Sequence, residues 1–284
     1  MTPEEYRRRQ AAITATLRAA LAPLVRTLRG RPSQAQWAAF LDAAYPAIYR
    51  ARVASWQLAA DFYAAQRRAQ LAPAPSRETS RRDATTPPTS GEDASREESR
   101  ERLTPVNGAR DETPEVPRRN YPPRALAAAY RPLRARLDAL DEDEPPPATV
   151  VESAVRVAER HARDAGREAV VDAARHDPAA LGYARRALSG NPCAFCLMLV
   201  SRGPVYKDSS AALLRDGSGE PYHDGCSCVA VPVFNRQAWP GREEAGQLEA
   251  EWRRSGGTLA EWRRHLDGQR HQQTTGDSET STAS

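Results

Sequence analysis

All four cysteines of the chain fall between residues 193 and 228, spaced as Cys193-x-x-Cys196 and, 26 residues later, His223-x-x-Cys226-x-Cys228. No other feature constrains the fold as tightly. Donors three residues apart at a tight turn point to one side of the backbone, and two such knuckles facing each other make a tetrahedral nitrogen and sulfur site. Thiolate and imidazole suit zinc, a borderline-soft ion with no geometric preference of its own. Five donors compete for four places. The expected set is Cys193, Cys196, His223 and either Cys226 or Cys228, because residues two apart in a strand share a direction but crowd one ion. The fifth donor is then a neighbouring thiol or a substitute for His223. Four protein ligands leave no position for an activated water, so one structural Zn2+ is expected. Two disulfides are the arithmetic alternative, disfavoured by C-x-x-C and C-x-C pairs with a histidine in register.

Catalytic patterns around this module are incomplete. Pro192-Cys193-x-x-Cys196 matches half of the zinc deaminase signature, which also needs an upstream His-x-Glu whose carboxylate moves protons at the metal-bound water. His161 is followed by Ala162-Arg163 and His176 by Asp177-Pro178, so that half is missing. H-E-x-x-H, a Walker loop and G-x-S-x-G are absent from the sequence too. No catalytic residue and no enzymatic activity are expected, and His161, His265 and His271 read as solvated helix or tail residues.

The rest of the chain divides by periodicity. Residues 1–70 read as two helices. The first opens at Thr2-Pro3-Glu4-Glu5 and carries Ile13, Leu17, Leu21, Leu24 and Leu28 on one face; the second opens at the capping box Ser33 to Gln36 and carries Trp37, Leu41, Tyr45 and Ile48. Pro23 and Pro46 are expected to kink them. Residues 71–123 are rich in Pro, Ser, Arg and Glu with almost nothing apolar to bury, which predicts a disordered linker. Residues 124–190 read as helical: one stretch over 124–140, a second from a capping box at Thr149 to Glu152 towards Arg175, and a third from Asp177-Pro178 to Ser189-Gly190. Closely spaced turn signals over 191–235, between the apolar runs 197–200 and 229–234, predict the metal knuckle with a small hairpin. Helices are expected over 236–268, where Thr258 and Glu261 make another box and Leu259, Trp262 and Leu266 share a face. Residues 269–284 read as a disordered tail. The predicted fold is mainly α, with a small α+β zinc-binding module near the C-terminus.

Charge says little about partners. The net charge is +4, but 37 acidic residues nearly balance 41 basic ones, of which Lys207 is the only lysine. No run approaches the roughly 20 apolar residues needed to cross a bilayer, and MTPEEYRRRQ has no apolar signal core. A soluble protein with no membrane contact is expected. Arg253-Arg254 and Arg263-Arg264, each beside a tryptophan, could serve nucleic-acid binding, with phosphates on arginine and bases stacked on Trp252 and Trp262. The spacing of Leu259, Trp262 and Leu266 favours ordinary packing instead.

The segments Tyr183-Ala184-Arg185, Cys193-Ala194-Phe195-Cys196, Ser201 to Tyr206, Tyr222-His223-Asp224-Gly225-Cys226-Ser227-Cys228 and Val231-Pro232-Val233-Phe234 together resemble the MuF-like minor capsid proteins of tailed bacteriophages, in the form found in phages of actinobacteria. The likeness is specific over residues 150 to 240. Where that pattern has Pro and Arg in its second motif, this chain has Asp224 and Ser227. The resemblance implies a minor head protein acting in head morphogenesis inside the procapsid, in the host cytoplasm during assembly and in the virion afterwards. It implies the portal protein, scaffold or major capsid protein as partners, with packaged DNA as a further candidate, and it makes the linker a candidate for cleavage during maturation.

Overall fold

The first two helices begin where the sequence places their caps. In the computed structural model, which describes residues 1–72, 119–188, 192–204, 224–226 and 228–281, α1 (Pro3–Arg26) opens with the Thr2 hydroxyl accepting the Glu5 amide at 3.1 Å. Helix α2 (Gln34–Leu71) opens with the reciprocal box: the Gln36 amide donates to Ser33 Oγ at 3.2 Å and the Ser33 amide to Gln36 Oε1 at 2.7 Å. Each runs unbroken through its internal proline, Pro23 or Pro46.

The stretch expected as one helix over 124–140 is two, α3 (Pro123–Ala129) and α4 (Arg131–Asp138), broken at Tyr130. Pro132 has no amide to continue the ladder, so the second helix restarts with it in the first turn. Helix α5 (Ala148–His176) follows. Thr149 is not its cap: Pro147 takes that position without a side-chain bond, and Glu152 instead pairs with Arg18 at 2.6 Å and with Arg156 at 3.0 Å.

Three expectations for the remainder need correction. The helix predicted from Asp177 to Gly190 is a strand, β1 (Gly182–Ala187), paired antiparallel with β2 (Cys228–Val233) in a register from Gly182↔Val233 to Ala187↔Cys228. Ala and Arg favour helix locally, but the valine-rich partner strand offers a ladder and a buried face, and that non-local pairing decides. Among the described residues of 191–235, the second apolar run therefore pairs outside the module and the first lies in helix α6 (Ala194–Ser201). At the far end, after α7 (Arg242–Arg254), α8 (Leu259–Ser281) continues through most of the predicted tail. Once Trp262 and Leu266 anchor it, each further residue adds a hydrogen bond without a new nucleation cost.

The linker is also shorter at its C-terminal end than predicted. Arg119 binds Asp172 through two hydrogen bonds of 2.7 Å, and Tyr121 is buried with its carbonyl accepting the Tyr45 hydroxyl at 2.7 Å. The part of the predicted linker over 73–118 lies outside the described residues.

The protein is therefore mainly α, with α1, α2 and α5 packed together. One core joins the C-terminal part of α1 and the first half of α2 to α3, α4 and the start of α5, around Leu21, Ile48, Tyr130 and Leu137. The other joins the opposite ends of α1, α2 and α5 to the sheet, α6 and α8, around Phe62, Tyr63, Val231 and Trp262. Gln70 closes part of the free edge of β2: its Nε2 donates to the Pro232 carbonyl and its Oε1 accepts the Phe234 amide, each at 2.9 Å. Trp262 is fully buried and its Nε1 donates to the Ala194 carbonyl at 3.0 Å. It serves the core and presents no face for a base to stack on.

Candidate metal centre

The sheet and α6 bring the cysteines together. Cys193 is the N-cap of α6, and its Sγ accepts the Cys196 amide at 3.3 Å, which turns both side chains of the C-x-x-C towards one point. Cys226 follows a tight turn at Asp224-Gly225, where Gly225 has φ +79°, a conformation that favours glycine. Cys228 opens β2. The Sγ atoms of Cys196, Cys226 and Cys228 all lie within 4.8 Å of one another, those of Cys196 and Cys226 at 3.5 Å. All three residues are buried, with half-buried Cys193 packed against them. No disulfide joins any of the four.

Sulfurs about 2.3 Å from a tetrahedral ion stand roughly 3.8 Å apart, so the three buried thiols have the spacing of three corners of such a site and can hold a metal ion. Both Cys226 and Cys228, the two candidates for the fourth place, lie in the cluster: Cys226 follows the Asp224-Gly225 turn and Cys228 stands in β2. Cys193 stands next to the three; His223 lies outside the described residues.

Around the thiols stand three arginines, of which Arg160 and Arg167 have no part in the sequence motifs. Arg167 of α5, 4% exposed, donates from Nε to the Cys228 carbonyl at 3.2 Å and from Nη2 to the Cys226 carbonyl at 2.7 Å, while its Nη1 bonds Asp164 at 2.8 Å. Arg185 of β1 is fully buried and lies two residues from Ala187, the register partner of Cys228. Arg160 binds Asp224 at 2.6 Å and so ties the turn before Cys226 to α5. Hydrogen bonds from Cys196 and Cys228, with Arg167 beside it, hold the Cys226 thiol well below the usual range, whereas hydrogen bonding to Cys193, Cys226 and Cys228 pushes Cys196 up. The cluster thus favours one shared thiolate beside Arg167, the form that binds metals. A signal for these arginines exists in the sequence: Arg160, Arg163 and Arg167 recur at helical spacing within a small-residue helix, on a stripe that faces protein.

The histidines divide. His265 stacks on Trp262 with centroids 5.6 Å apart, and His271 is exposed. His161 is not the solvated residue expected: it packs beside Tyr121, and burial, reinforced by Arg160 and Arg52, lowers its pKa to about 3.

The cysteine-bearing half of the chain is also the half it shares with known proteins. The family model described as VG15 protein matches residues 98–255, more than half of the chain. The chain belongs to the VG15 protein family. Relatives are phage proteins: it is 33% identical over 153 residues to the Gene 15 protein of Mycobacterium phage L5, covering 42% of this chain and 51% of that one. It is 34% identical over 119 residues to the Gene 15 protein of Mycobacterium phage D29, covering 31% and 43%. The chain thus spans about half the length of the curated relatives it matches. No solved structure matches it. The VG15 match takes in α3 to α7 with the whole thiol cluster and leaves out α1 and α2. Among the described residues no helix is long and apolar enough to cross a membrane.

Proposed function

We propose that this VG15 family member is a minor capsid protein of the MuF-like kind, acting in head morphogenesis at the portal inside the procapsid, and that it carries one structural zinc ion. The observation that carries the reading is the convergence of Cys196, Cys226 and Cys228, with Cys193 beside them, in a chain whose relatives are phage proteins. Cys193 or His223 completes the set. With four protein ligands the ion works as a clasp: it joins α6 to the start of β2, and through Arg167 to α5. Burial of the thiols favours this structural role over catalysis.

Mass spectrometry and metal analysis of purified virions and procapsids test the proposal together. The expected result is the protein in both particles at low copy number, with one zinc per chain. Absence of the protein from both overturns the capsid role, and absence of metal from the purified chain overturns the clasp.

A further inference from the structure

Arg185 of β1 is fully buried, a position that a guanidinium takes only where negative charge compensates its lost hydration. The ladder fixes what it faces. Arg185 pairs with Ala230, and Ala187 with Cys228. Paired residues share a face of the sheet, as do residues two apart along a strand. Arg185, Ala187, Cys228 and Ala230 therefore stand at four corners of one face, with Arg185 and Cys228 on a diagonal. Such a diagonal spans roughly 7 to 8 Å between backbones, within reach of a long side chain. Both other corners are alanines, so no bulky group from the sheet stands between the guanidinium and the thiol. Ala187 itself packs against the cysteine cluster, which sets this face of the sheet on the thiols.

Charge gives the second observation. The Cys196 hydrogen bond and the Arg185 charge pull the pKa of the Cys228 thiol down, against Cys226 and burial, which push it up. The other two arginines described at the cluster divide their charge with carboxylates: Arg160 bonds Asp224 at 2.6 Å and Arg167 bonds Asp164 at 2.8 Å. Thiolates at Cys196, Cys226 and Cys228 together carry one more negative charge than a divalent ion neutralises, and all three residues are buried, away from the water that would spread it. A cation fixed on the same face of the sheet offsets that excess.

We propose that Arg185 is the charge partner of the metal-bound thiolates, a positioning residue that sets how tightly the cysteines hold the ion. This role rests on the metal clasp proposed for the cysteines.

The test is metal binding by the full chain, titrated with Co2+ in competition with a chelator and followed by sulfur-to-cobalt charge-transfer absorption, with wild type, Arg185→Lys and Arg185→Gln. Both substitutions shorten the side chain and so share the loss of packing; they differ in charge. Arg185→Gln is expected to bind roughly 10- to 100-fold more weakly than Arg185→Lys, with Arg185→Lys nearer to wild type. Thermal unfolding of the metal-free chains reads the fold separately: a purely structural arginine would lower the Tm of both variants and leave their affinities equal. Should the shortened variants fail to fold, Arg185→Met, which keeps an apolar stem without the charge, is compared with wild type, and the same fold-loss of affinity is expected. Equal affinity with and without the charge overturns the role of Arg185 and leaves the clasp standing. A wild-type chain that binds no metal overturns both.

Discussion

Arg167 Nε donates to the carbonyl oxygen of Cys228 at 3.2 Å, and the same guanidinium reaches the Cys226 carbonyl and the Asp164 carboxylate. A side chain on the central helix thus holds two of the three clustered cysteines by their backbone. Arg167→Met removes a charge that pairs with Asp164 and leaves two buried carbonyls unsatisfied. The expected loss is about 3 to 5 kcal/mol in urea unfolding, with metal affinity reduced roughly 10- to 100-fold because the ligands lose their orienting partner. Arg167→Lys recovers part of the stability and little of the affinity, since an ammonium does not span both carbonyls.

Removal of the metal is expected to act locally. The core around Leu21, Ile48 and Tyr130 does not include the cysteines, so a strong chelator should lower Tm while far-UV circular dichroism keeps most of its helical signal. Cys196→Ser, Cys226→Ser and Cys228→Ser should each lose the metal in elemental analysis. Comparison of Cys193→Ser with His223→Ala identifies the fourth ligand as the residue whose loss releases the ion. Stoichiometric metal in all three clustered-cysteine variants would refute the site.

The elements whose signals are local were legible in the sequence. Thr2 and Ser33 cap the helices they are expected to cap, and the cysteine spacing locates the thiol cluster, because a cap or a C-x-x-C turn is settled within a few residues. Residues 182–187 were misread because their composition favours helix; only pairing with 228–233, some forty residues on, makes them a strand. Thr149 failed as a cap for a related reason: Glu152, its expected partner, is drawn to Arg18 on another helix. Arg167 shares a periodic stripe with Arg160 and Arg163, but one sequence does not show that this polar stripe turns inward. Trp262 was read correctly as packing because its leucine neighbours share its helical face.

Asp177 should matter far more than the surface ion pairs. Its side chain is fully buried, accepts Arg67 Nε at 2.8 Å and the Tyr63 hydroxyl at 3.1 Å, and also takes the Ala179 amide at 2.9 Å. Burial pushes the Tyr63 hydroxyl well above its ordinary pKa, so it stays a donor at any working pH. Asp177→Ala removes the buried carboxylate that pairs with Arg67 and is expected to cost about 3 to 5 kcal/mol. Glu5→Ala, which breaks the exposed pair with Arg9, should cost less than about 1 kcal/mol. Equal losses in chemical denaturation would contradict the placement of Asp177.

Acid stability should depend on His161. Arg160 can only donate, so its Nη2, 3.5 Å from His161 Nε2, requires that nitrogen to be an unprotonated acceptor. Burial, with Arg160 and Arg52 adding repulsion, lowers the folded-state pKa to about 3, against about 6.5 in an unfolded chain. Between those values the unfolded chain binds the extra proton. The stabilisation is therefore complete above about pH 7 and is lost as pH falls from 6.5 towards 3, at up to about 1.4 kcal/mol per pH unit. Asp164 and Glu168 nearby, both raised by burial, add a pH dependence of the opposite sign, so wild type alone does not isolate the histidine. Subtracting the pH profile of His161→Gln, which keeps both carboxylates and an acceptor for Arg160, does. The difference in unfolding free energy should be flat above pH 7 and fall steadily below 6.5; a flat difference down to pH 4 would place His161 in solvent after all.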